Sequence, residues 1–85
     1  MASMRRALYT IANEIIAIWS RQGKGIYFGA VPYLRAMATL DSISDNYGAD
    51  SGESIVAYAL SNMTTFKGED ARRLKAELKD HLNSK

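Results

Sequence analysis

Cysteine is absent from this chain of 85 residues. Disulfides, thiolate nucleophiles, iron–sulfur clusters and cysteine-bound zinc are therefore excluded, and nothing in the composition calls for an oxidising compartment. Histidine occurs once, which leaves little from which to assemble an acid–base pair or a metal centre. Long apolar runs are missing too. Such runs as there are, residues 15–19 among them, fall far short of the ~20 residues that cross a bilayer, so no membrane partner is expected. Arg5 and Arg6 give the chain the basic start of a secretory leader, but Asn13 and Glu14 interrupt the apolar stretch that a leader requires. A cytoplasmic location follows as the expectation.

What is present is ordinary globular composition, with 47% apolar and 24% charged residues. A chain of this size buries roughly 63% of its unfolded surface, enough for one core and no second. Met4 reads as the natural start behind three added residues, which makes the expected unit a single domain over residues 4–85. The net charge of +2 is small, but it is unevenly spread: residues 1–42 carry +3, residues 43–65 carry −3 and residues 66–85 carry +2. A solvated surface is the plain reading of this pattern, and a charged partner or self-association is the sharper one.

Hydrophobic periodicity predicts four helices and no strands. In residues 3–22, Leu8, Ile11, Ala12, Ile15, Ile16, Ile18 and Trp19 recur on one face, with Ser3 placed to cap the start and Gly23 and Gly25 placed to end the run. Residues 23–31 read as an extended loop rich in glycine. Pro32 suits the first turn of a second helix over residues 32–43 and biases Val31 towards extended geometry. Residues 44–51 are rich in turn formers. Asp50 and Glu53 have the spacing of a capping box for a third helix from about Ser51, which Thr64, Thr65 and Gly68 close. Glu69 and Asp70 then open a fourth, with Ala71, Leu74, Leu78 and Leu82 as a narrow apolar stripe and Glu69 paired to Arg73. The expected fold is all-α, a small four-helix orthogonal or bundle-like domain.

Chemistry is hard to place on this frame. His81 sits four residues from the end, where a fraying helix holds nothing firmly and the helix dipole alone accounts for a histidine. Asp41, Asp45 and Asp50 lack the spacing of a calcium loop, and Gly23-Lys24-Gly25 lacks the length and the terminal Lys-Ser/Thr of a phosphate loop. No catalytic residue, cofactor or metal is expected. The aromatics carry more information. Tyr27, Phe28, Tyr33, Tyr47 and Phe66 all fall in or beside connections, where most such rings close over a core and a minority form binding surfaces. Tyrosine with arginine is the composition of interface anchors, and aromatic faces beside cations also stack nucleobases. The candidate set is Tyr27, Phe28 and Tyr47 for stacking and Arg35, Arg72 and Arg73 for charge pairing.

Residues 27–37 (YFGAVPYLRAM), 45–51 (DNYGADS) and 68–78 (GEDARRLKAEL) together resemble a family of small proteins encoded by tailed bacteriophages and prophages, over residues 8–80. The family has tryptophan where Phe66 stands and phenylalanine where Ala59 stands, both packing changes. The resemblance implies a non-enzymatic accessory protein that binds and neutralises a host protein or a small, anionic, nucleotide-like defence signal in the cytoplasm of the infected bacterium. A domain this small also gains buried area by pairing, so a homo-oligomer is expected. The alternative is nucleic-acid binding through the two basic ends, which the acidic centre opposes.

Overall fold

A computed structural model describes residues 5–84. They form four α-helices, α1 (Leu8–Trp19), α2 (Val31–Met37), α3 (Gly52–Ser61) and α4 (Glu69–Leu82), with a 3-10 turn over Phe28–Ala30 and a two-stranded ribbon of β1 (Asn46–Tyr47) and β2 (Asp50–Ser51). The mainly helical class therefore matches the periodicity. The ribbon was not anticipated.

α1 buries Leu8, Ile11, Ala12, Ile15 and Trp19, the stripe expected of a helix with one dry face. Its start differs from the expectation. Ser3 lies outside the described residues, and Ala7 precedes the helix in extended geometry, φ −60° and ψ 146°. Residues 5–7 are instead drawn towards the far end of the chain, where the Arg6 carbonyl meets His81 Nε2 at 2.8 Å. The first amides of α1 are satisfied by distant backbone. Leu8 N–H donates to the Asp41 carbonyl at 2.9 Å and Tyr9 N–H to the Leu40 carbonyl at 2.8 Å.

That same contact shortens α2, expected to reach residue 43. Beyond Met37 the chain tightens, with Thr39 N–H donating to Ala36 and Leu40 N–H to Met37, both at 3.0 Å, and turns so that carbonyls 40 and 41 face α1. Val31 is helical at φ −57° and ψ −50°, not extended, because its N–H closes the 3-10 turn onto Phe28 and leads directly into the helix. Pro32 sits in the first turn of α2, where the donor it lacks would go unused.

Asp45 organises the next turn: its carboxylate accepts from the amides of Asp41 at 2.9 Å and Ser42 at 3.2 Å. The ribbon pairs Asn46 with Ser51 and Tyr47 with Asp50 in antiparallel register. Gly48, at φ 60°, takes the first central position of its two-residue turn, a backbone conformation that favours glycine. This pairing removes Asp50 from the expected capping box. Ser51 caps α3 instead, accepting from Ser54 N–H at 3.1 Å.

The core is one cluster built from all four helices and the segment after α3. At its centre Trp19 stacks on Phe66, ring centroids 5.1 Å apart at 24°. α4 contributes Ala71, Leu74 and Leu78, and also His81. The histidine is not at a frayed end: it is 4% exposed and held on the Arg6 carbonyl.

Candidate functional site

The five loop aromatics separate by position. Phe66 is fully buried. Tyr33 lies within α2, half-buried against Tyr58 of α3 at 5.5 Å. Tyr27, Phe28 and Tyr47 are exposed, Phe28 by 79%.

Tyr27 and Phe28 share one edge, their ring centroids 5.0 Å apart. Phe28 begins the 3-10 turn that runs into α2, so its backbone is fixed although its ring faces solvent. Tyr27 is placed by the absence of a side chain at residue 29. A Cβ on Gly29 would come within 2.6 Å of the Tyr27 ring and 3.0 Å of Asn62 Oδ1. Together with Trp19, Gln22, Ile26 and Thr65, the two rings line an open groove of about 630 Å³. Arg35 is exposed on α2 and borders a smaller groove of about 250 Å³ that shares Ile26 with the first.

Tyr47 is elsewhere. It stands on the ribbon just before the start of α3, whereas Asn62, beside Tyr27, caps the end of that helix. The ten residues of α3 separate them by about 15 Å. Of the stacking trio, the structure brings two together.

The arginine pair also divides. Arg73 faces α1 and meets Glu14 at 2.7 Å, Asp70 at 3.2 Å and Glu77 at 3.5 Å. Arg6 joins Glu14 at 2.7 Å and holds Glu77 with two parallel hydrogen bonds at 2.8 and 2.7 Å. Arg6, Glu14, Arg73 and Glu77 thus close a ring of alternating charge between α1 and α4. The hydrogen bond from Arg73, then that from Arg6, holds the Glu14 carboxyl below the usual range, while the bond to Glu14 raises Arg73. The partner expected for Arg73 was Glu69, and the side chains that hold it are these three. Arg5 is likewise paired, to Asp80 at 2.7 Å. The basic start of the chain is therefore matched by acids of α4.

Arg72, one position along, points the other way. It is exposed and lines a groove of about 230 Å³ with Phe66, Lys67 and Lys75. Lys75 Nζ donates to the Phe66 carbonyl at 2.8 Å and lies 5.9 Å from the centre of that ring. Burial, and then the neighbouring charges of Lys67 and Lys79, lower the Lys75 pKa. Sequence reasoning missed Lys75, which lines this groove with Arg72, and Lys79 beside it. The i, i+3, i+7 spacing of Arg72, Lys75 and Lys79 was the available signal. It also missed Gln22, whose side-chain amide donates to the Lys67 carbonyl at 2.8 Å and so joins the two grooves. Nothing local in the sequence marks that contact.

Among the described residues no helix is long and apolar enough to cross a membrane, and no group of three or more His, Asp or Glu side chains is placed to hold a metal ion. Comparison with known proteins returns no matching family, no matching curated protein and no matching solved structure.

Proposed function

We propose that this chain is a non-enzymatic accessory protein of the phage type, which captures a host factor or a nucleotide-like defence signal on the edge that carries Tyr27 and Phe28. The observation that supports this reading best is the 79% exposure of the Phe28 ring on a backbone anchored by a 3-10 turn, beside an apolar groove. Single exposed apolar side chains are common on protein surfaces. A pair of adjacent rings at a groove, on backbone that is fixed before any partner arrives, has the composition of a binding anchor. The lone histidine is occupied by a backbone carbonyl inside the domain, which fits a role in recognition. In this reading the chain works in the cytoplasm of the infected bacterium as a homo-oligomer of four-helix, bundle-like units.

The test is affinity capture from host lysate by the intact chain and by Phe28→Ala, with proteins and small molecules both identified by mass spectrometry. A species retained by the parent and weakened by about 30-fold or more in the variant, at unchanged melting temperature, is the expected result. Retention that ignores the substitution refutes the assignment of this edge. Light scattering that shows only monomer at high concentration refutes the oligomer.

A further inference from the structure

The two flanks of α4 handle charge differently. Asp70, Arg73, Glu77 and Asp80 lie on the flank that meets α1, and each is ion-paired there or along the helix. Arg72, Lys75 and Lys79 share the opposite flank of the buried Ala71–Leu74–Leu78 stripe, and Lys67 precedes the helix on that side. Among the described residues none of these four cations has a carboxylate partner. Like charges gathered without a counter-charge repel each other, and an anion bound among them relieves the repulsion. The acids at the start of α4 do not supply it. Glu69 and Asp70 line neither groove, and Asp70 is held by Arg73 at 3.2 Å.

This cationic flank is continuous with the aromatic edge. Thr65 lines the groove of Phe28, while its neighbours Thr64 and Phe66 line that of Arg72. Gln22 clamps the junction, donating to the Lys67 carbonyl at 2.8 Å and accepting from the Lys67 amide at 3.4 Å. From Arg72 to Lys79 the stripe runs about 10 Å, room for more than one phosphate of a nucleic-acid strand. A flat, exposed aromatic face next to a row of cations is the arrangement that binds a base and its phosphates together.

We propose that Phe28, Lys67, Arg72, Lys75 and Lys79 form one surface for phosphodiester-linked nucleotides, with a base stacked on Phe28 and the phosphates paired to the cations. The proposal rests on the reading of the chain as a binding protein and names its ligand class. A single strand and a free cyclic oligonucleotide share that chemistry, and the experiment separates them. Fluorescein-labelled decathymidylate and labelled cyclic di-adenylate are titrated with the intact chain and read by anisotropy between about 50 and 200 mM salt.

Binding of either probe supports the proposal and identifies the source. For the strand, log K falls against log salt by roughly 0.7 for each phosphate neutralised, and Arg72→Ala or Lys79→Ala each removes about that much from the slope. Phe28→Ala weakens either probe by about 5- to 140-fold, the loss of one stacked base. These side chains are exposed, so circular dichroism melts of the variants match the parent. Lys75 is left intact because it holds the Phe66 carbonyl. The proposal is overturned if neither probe binds at the lowest salt, if binding ignores both Phe28→Ala and Arg72→Ala, or if poly-glutamate competes as well as the strand. A captured host species that depends on Phe28, with neither probe bound, removes the nucleotide assignment and leaves the binding function standing.

Discussion

Phe66→Ala and Phe28→Ala remove the same atoms from two phenylalanines that the sequence places in similar company, and the structure requires opposite outcomes. Phe66 is fully buried, stacked on Trp19 at 5.1 Å and covered by the Lys75 chain. Truncating such a ring costs about 3–5 kcal/mol, from lost transfer energy and the cavity left behind. Domains of this size have a total stability of roughly 4–13 kcal/mol, so the loss is about a quarter or more of what holds the chain folded. Phe28 is 79% exposed, and its truncation changes stability by no more than about 0.5 kcal/mol. Urea unfolding followed by fluorescence of the lone Trp19 measures both, since the Trp19–Phe66 stack breaks on unfolding. With a slope of about 1 kcal/mol per molar urea, the Phe66→Ala midpoint falls by about 3–5 M, or the variant is unfolded without urea. A cost under about 1 kcal/mol for Phe66→Ala, or equal costs for the two variants, would falsify the assignment of Phe66 to the core centre and Phe28 to the surface.

Four further outcomes follow from the same packing. The folded Glu14 pKa lies below its unfolded value, so its contribution is complete above the unfolded pKa near 4.5 and fades as pH falls through the folded one; Glu14→Gln should flatten the acid limb of stability against pH, and an unchanged limb would show the ring to be inert. Because these groups are partly exposed, the Glu14–Arg73 coupling in a double-mutant cycle should be about 0.5–1 kcal/mol and shrink with added salt. Gly52→Ala forces a Cβ to within 2.8–2.9 Å of the Asp45 and Ser42 carbonyls and Ile43 Cα, a backbone clash expected to cost about 1–3 kcal/mol, whereas Gly23→Ala meets nothing within 4 Å and should be neutral or slightly stabilising; equal melting temperatures for the two would contradict this. His81→Ala opens a cavity and strands the Arg6 carbonyl, a loss of about 2 kcal/mol by thermal melting, and a neutral result would mean that the amino-terminal residues do not depend on this contact.

The apolar stripes were legible in the sequence because a helix repeats every 3.6 residues wherever it lies, and Leu8, Ile11, Ile15, Ile55, Ala59, Leu74 and Leu78 keep that period into the core. Helix ends were less legible. The late start of α1 and the early stop of α2 come from amides and carbonyls that meet across residues 8–9 and 40–41, a pairing without local signature. The ribbon leaves only the turn formers of residues 44–51 as a signal, because two-residue strands are too short to show a period of two.

Local pattern by itself determined that this chain would make four amphipathic helices joined by polar and glycine-rich turns, since backbone geometry and the burial of apolar stripes act over a few residues. Only the folded arrangement decided which aromatic rings stay wet, that Arg73 is taken up by Glu14, Asp70 and Glu77 while Arg72 faces outward, and that Gln22, in the groove beside Phe28, holds the Lys67 backbone. Those outcomes depend on residues as far apart as 6 and 77 or 22 and 67, and distance along the chain carries no record of which charges and rings will meet once the core has closed.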